Sequence, residues 1–192
     1  SQAPELWIVK RLASADWWGV GATQGIDATK YLQLNVTTAA VTHTTVWNDT
    51  APTASVLSLG TAAAVNATEA YISYCFHSVE GYSKVGSYVG NGSTDGVFIY
   101  TGFRPAFIIV KAYSPNGYDW TMFDDKRNPY NVVNRSLAAN WALAEYELAL
   151  NNQDFLSNGV KMRTTDEGLN KASQSYIYLA FAESPFKTSN AR

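Results

Sequence analysis

"YISYCFHSVEGY" runs from Tyr71 to Tyr82, and "YIYLAFAESPF" from Tyr176 to Phe186. Both open on closely spaced β-branched and aromatic residues, the mark of a strand whose side chains point by turns to opposite faces. Ile72, Tyr74 and Phe76 share one face of the first. Ile177, Leu179 and Phe181 take the same places in the second. These faces read as the core side. The opposite faces carry Tyr71, Ser73, Cys75 and His77, against Tyr176, Tyr178, Ala180 and Ala182. They too are fairly apolar, so both strands are expected inside a sheet rather than at its edge.

The likeness extends outward. Pro4-Glu5-Leu6-Trp7-Ile8-Val9-Lys10 aligns with Pro105-Ala106-Phe107-Ile108-Ile109-Val110-Lys111, and Trp18 falls against Trp120. "LQLN" (32–35) matches "LAAN" (137–140), and "SVLSLGT" (55–61) matches "GVKMRTT" (159–165). The spacing drifts slowly, as small loop insertions would make it. Ordered matches of this kind indicate a tandem duplication. The period is far too long for a solenoid, and a single sheet cannot bury its own apolar face. The expected fold is therefore all-β: a β-sandwich of two related sheet units, residues 1–82 and 83–192, packed as one compact body. The second unit has a leader, "YSKVGSYVGNGSTDGVFIYTGFRP" (82–105), with no counterpart before Pro4. That asymmetry suggests a missing upstream strand pair and a C-terminal piece of a longer polypeptide; the rival reading is a native start with the initiator Met removed before Ser1.

Other strand signals are "TTVWN" (44–48), "SVLSL" (55–59), "GSYVG" (86–90), "GVFIYTGF" (96–103), "DWTMF" (119–123) and "YNVV" (130–133). "AANWALAEYELAL" (138–150) has helix-forming composition without one clean apolar face, so loop and short helix stay open.

Hydrophobic residues make up 46% and charged residues 16%, enough for a core and too apolar for disorder. With a net charge of −2 and no basic run, no nucleic-acid partner is expected. No apolar run approaches the roughly 20 residues that cross a bilayer, so no membrane insertion is expected. The single cysteine, Cys75, rules out an internal disulfide and reads as a small buried core residue.

Catalytic patterns are weak. His43 sits in a Thr-rich stretch, His77 ends a strand, and no Gly-x-Ser-x-Gly elbow is present. "GNGSTDG" (90–96) reads as a turn between strands, with Ser93 and Asp95 in it. It lacks the Gly-Lys-Ser/Thr ending of a nucleotide loop. The carboxylates Asp124-Asp125 and Glu145/Glu147 could serve a glycosidase only if folding set two of them about 5–10 Å apart. The plainer reading of "DDKRNP" is a turn with surface ion pairs. Asp124, Asp125 and Asp166 could ligate a hard cation, but no EF-hand spacing supports it. No catalytic residue, metal site or cofactor is assigned. The five Asn-x-Ser/Thr sequences, at Asn35, Asn48, Asn66, Asn91 and Asn134, are read as coincidental.

"WNDTAPTASVLSLG", "YCFHSVEGYSKVGSYVGNGSTDGVFIYTGFRPAFIIVK", "RNPYNVVN", "DFLSNGVKMRT" and "YIYLAFAESPF" together resemble the repeated C-terminal region of phage and prophage tail-fibre proteins. The closing "AFAESPFKTSNAR" looks like the usual end of such proteins. The resemblance covers nearly the whole chain. It implies a virion component at the tail tip or fibre end. It also implies a homo-oligomer, expected to be a trimer, that joins other tail proteins through an upstream region and touches a host surface glycan or protein. It carries over no binding residue.

Binding is best sought in the aromatic loops. Trp17-Trp18 follow "ASAD", and Tyr118 and Trp120 follow "SPNG", at equivalent places in the two units. Sugars stack their C–H faces on flat rings, and carboxylates or amides then bond the hydroxyls. Trp17 with Asp16, and Tyr118 with Asn116 and Asp119, make such sets. Trp18 and Trp120 recur at matched positions and read as core anchors. Three functions remain in play: a receptor-binding tail-fibre module, a polysaccharide-degrading tail enzyme, and a purely structural capsid or virion fibre.

Overall fold

The computed structural model describes residues 2–13, 18–147 and 151–185. Its first sheet is built from β1 (Leu6–Arg11), β2 (Trp18–Ala22), β3 (Lys30–Gln33), β4 (Val41–Thr42) and β5 (Tyr71–Phe76). A four-residue helix, α1 (Thr44–Trp47), lies between β4 and β5. The second half contributes β6 (Ser83–Val89), β7 (Phe98–Tyr100), β8 (Pro105–Ser114), β9 (Trp120–Asp124) and β10 (Arg135–Ala138). It continues with β11 (Tyr146–Glu147), β12 (Gln153–Leu156), β13 (Gly159–Met162) and β14 (Ser175–Ala182). The protein is all-β, as its alternating apolar pattern requires.

The first sheet runs β4-β3-β2-β1-β5 and the second β11-β10-β9-β8-β14-β6; β12-β13-β7 form a third, small sheet. All named pairs are antiparallel. The two large sheets share order and register. Lys10 pairs Trp18 as Lys111 pairs Trp120. Val20 pairs Leu32 as Met122 pairs Leu137. Ile8 pairs Tyr74 as Ile109 pairs Leu179. The turn before each last strand is built alike too. The Tyr71 hydroxyl donates to the Ala63 carbonyl at 2.6 Å and accepts from the Ala67 N–H at 2.8 Å. The Tyr176 hydroxyl does the same with Glu167 and Lys171, at 2.8 Å each.

Alternation assigns each face. Leu6, Val20 and Leu32 of the first sheet meet Val85, Trp120, Ile177 and Leu179 of the second in a shared core between the sheets. The outer face of the first sheet, with Trp7 and Val9, is capped by Val46, Trp47 and Val65. The outer face of the second, with Ile108, Val110 and Phe123, is capped by Phe155, Val160 and Met162 of the small sheet. Both faces of β8 and β14 are therefore covered, which explains why their sequences are apolar almost throughout. Trp7 needs space on its face. A Cβ on Gly21, its cross-strand partner, would lie 2.2 Å from the indole.

Four expectations are corrected. β14 is central, between β8 and β6, but β5 pairs only with β1 and is an edge strand among the described residues. Cys75 on it is accordingly exposed rather than buried. "TTVWN" forms α1 and not a strand. Its β-prone residues are overridden because a turn of helix lets Val46 and Trp47 bury against the sheet. "SVLSL" (55–59) and "YNVV" (130–133) form no named strand; the latter contributes one isolated bridge, Val133 to Gln153. Of the two readings open for 138–150, the described residues after β10 follow the loop: 139–145 are irregular and lead into β11.

Candidate functional site

β8 carries Lys111 into the interior, fully buried. Its ammonium donates to the Thr37 carbonyl of the first unit at 2.8 Å and to the Tyr118 carbonyl. This fixes the turn leading into β9, and the Tyr118 side chain packs half-buried against the outer core of the second unit. The Tyr118 hydroxyl donates to Glu167 Oε2, and Lys171 Nζ donates to Glu167 Oε1 at 2.5 Å. Lys171 and then Tyr118 hold the Glu167 carboxyl below its usual range. Asp119 Oδ1 accepts from Asn140 Nδ2 at 2.7 Å, and Asn140 Oδ1 in turn accepts from the Trp120 N–H at 2.8 Å.

These groups open onto a pocket of about 320 Å³ lined by Tyr118, Asp119, Thr121, Asn151, Asp166 and Glu167, with Tyr146 and Gly168 completing the wall. Asp166 Oδ1 accepts the Gly168 N–H at 2.8 Å. Burial pushes the Asp166 carboxyl upward, and the charges of Glu167 and Asp119 add to this. The wall thus offers two aromatic rings, three carboxyls as acceptors and an amide as donor, a set suited to a polyhydroxylated ligand. Among the described residues, no group of three or more His, Cys, Asp or Glu side chains is placed to hold a metal ion.

Comparison of the two similarly built halves shows what is special about this pocket. Leu169 and Asn170 donate their N–H groups to the Asp166 carbonyl, as Val65 and Asn66 do to Ala62. Asp166, Glu167 and Gly168 therefore stand where the first unit has Ala62, Ala63 and Ala64. Thr121 stands where the first unit has Gly19, and there the Trp47 indole fills the space, 3.5 Å from the position of a Cβ on Gly19. One scaffold carries a plug in its first copy and an acidic pocket in its second.

Of the sequence candidates, Tyr118 and Asp119 meet in this pocket. Asn116 is exposed and does not line it; its backbone is tied to Gln174, whose Nε2 donates to the Asn116 carbonyl at 2.6 Å. Asp16 and Trp17 lie outside the described residues. Trp120 is buried, with Nε1 donating to the Gln33 carbonyl at 2.8 Å, and Trp18 is half-buried. Glu167 and Asn151 were missed as binding residues, and sequence reasoning weighs Asp166 only as a cation ligand. The signal for two of them was present in the repeat, as "DEG" set against "AAA".

The remaining candidates have structural partners. Asp124 and Glu145 both pair with Arg127, the latter at 2.8 Å, and Glu147 pairs with Arg135 at 3.4 Å. Lys126 meets Asp125 at 3.1 Å. His43 Nδ1 lies 3.0 Å from Thr45 Oγ1, and His77 Nδ1 donates to the Ser78 carbonyl at 3.0 Å. In the Gly-rich turn, Asn170 Nδ2 donates to Asn91 Oδ1 and to the Ser93 carbonyl at 2.9 Å, and Asp95 pairs with Lys161 at 2.8 Å.

The family described as Domain of unknown function (DUF7483) matches residues 1–185. No curated protein and no solved structure matches the chain.

Proposed function

Starting from a chain that belongs to the DUF7483 family, we propose that it is a receptor-binding module of a phage tail fibre that engages a host surface glycan through the Tyr118 pocket. The tail-fibre assignment rests on the sequence resemblance. The observation that carries the glycan reading is the convergence of Tyr118, Asp119, Asn151 and Asp166 on one opening in the second unit, where the first unit is filled. Acceptors and an amide donor beside the half-buried Tyr118 ring match the hydroxyls and C–H faces of a sugar. A trimeric fibre tip would bring three such pockets to one surface, and weak contacts would then multiply through effective concentration.

The test is binding of the whole chain to an array of bacterial surface polysaccharides, with Tyr118→Ala and Asp119→Asn as variants and the melting temperature as a folding control. Binding is expected to fall at least tenfold in both variants while each still melts cooperatively. Unchanged binding in both folded variants overturns the pocket as the contact. An enzymatic reading has one observation in its favour, the upward-shifted Asp166 carboxyl beside the lowered Glu167. Release of reducing ends from a bound polysaccharide, lost in Asp166→Asn, would replace adhesion by cleavage.

A further inference from the structure

The two sheets differ by one strand. In the second, β6 lies antiparallel along β14, and β7 of the same leader pairs with β13. In the first, among the described residues, nothing pairs with β5 on the side away from β1. Its apolar residues are open as a consequence. Ile72 is 36% exposed and Tyr74 44%, where their equivalents Ile177 and Leu179 are 0% and 6%. Cys75 is exposed, where Ala180 is 0%. The same contrast appears at the other leader contact. Val56 is 56% exposed, whereas its equivalent Val160, held against Ile99 of β7, is 0%. This also explains why 55–59 forms no strand: its counterpart β13 is held between β12 and β7.

We propose that the β5 edge and the Val56 stretch are together the seat of a two-strand segment with the register and apolar pattern of Tyr82–Arg104. An open edge with apolar side chains is a ready template for one more antiparallel strand. The shared register of β1–β5 and β8–β14 sets where it lies: its counterpart of Val85 opposite Tyr74, and its counterpart of Ser83 opposite Phe76. Its second strand covers Val56 as Ile99 covers Val160. Two separated exposed patches are thereby explained by one segment, which a symmetric pairing of two β5 edges would not do.

The test adds a second copy of residues 82–104 directly ahead of Pro4, repeating the Arg104–Pro105 junction. Amide hydrogen exchange across Tyr71–Phe76 and around Val56 is expected to slow at least tenfold, and alkylation of Cys75 by iodoacetamide to slow to a similar degree. A control addition carrying Val85→Pro and Gly86→Pro in the added copy should give no protection. Unchanged exchange and alkylation with the intact leader, or equal protection from the control, overturns the proposal. So does protection of β5 already present without the addition, whether it accompanies a dimer mass in light scattering or disappears when the chain is cut after Pro185.

Discussion

Lys111 holds its ammonium 5.7 Å from the ring centre of Trp120, its cross-strand partner, and Lys10 stands at the same 5.7 Å from Trp18. A cation over an indole face is attracted by the ring quadrupole. Both units hold this pair, but Lys111 of the second has a further role. Lys111 is fully buried and reaches the carbonyl of Thr37, so it ties the second unit to the first beneath the pocket turn.

That burial lowers Lys111 to about 8 from an ordinary 10.5, with the Asp119 charge opposing the shift. Between these values the unfolded chain binds more protons than the folded one, so the Lys111 contribution makes stability rise with pH. Lys111→Met removes the slope. Urea melts from pH 8 to 10 should show the native chain gaining on the variant by up to about 1.4 kcal/mol per pH unit.

The opposite sign applies to the tyrosines above pH 10. Burial raises Tyr178 to about 12 and pushes Tyr176 and Tyr88 upward as well. The folded chain then keeps protons that the unfolded chain has lost, and stability falls as pH climbs from 10 towards 12. Tyr178→Phe should fall less steeply over that window, read as a later alkaline unfolding midpoint by circular dichroism.

Gly21 and Gly19 lie on one strand yet should respond differently to alanine. A Cβ on Gly21 meets the buried Trp7 ring at 2.2 Å, while one on Gly19 finds ordinary contacts at 3.5 Å. Gly21→Ala is expected to cost about 1–3 kcal/mol through overpacking, and Gly19→Ala less than about 1 kcal/mol. Denaturant midpoints of the two variants provide the comparison.

Trp47 plugs the first unit where the second is open, and its ring meets Trp7 edge-on with centroids 5.4 Å apart. Trp47→Ala should cost about 3–5 kcal/mol, the transfer and cavity loss of a large buried ring. Thermal melting checks this. Tyr118→Ala, on the half-buried pocket wall, should lower the melting temperature far less.

Two of the five residues that give the site its chemistry were legible in the chain. Tyr118 and Asp119 could be picked out because an aromatic and a carboxylate sit side by side after a turn. Asn151, Asp166 and Glu167 could not be joined to them by spacing, since that juxtaposition is made by the small sheet folding over the outer face of β8, β9 and β14. Asn116 failed for the converse reason: it is near in sequence, but its turn is drawn towards Gln174.

The sequence by itself determined the β class and the alternation along most of the strands, because which face a side chain takes depends only on its neighbours along the strand. The shared register of the two sheets follows from the same local pattern. Only the tertiary structure decided that β14 is central and β5 an edge, and that one copy carries a tryptophan plug where the other carries a pocket. Strand neighbours and cavity walls are contacts between residues far apart in the chain. Two nearly identical strands were therefore free to meet different surroundings.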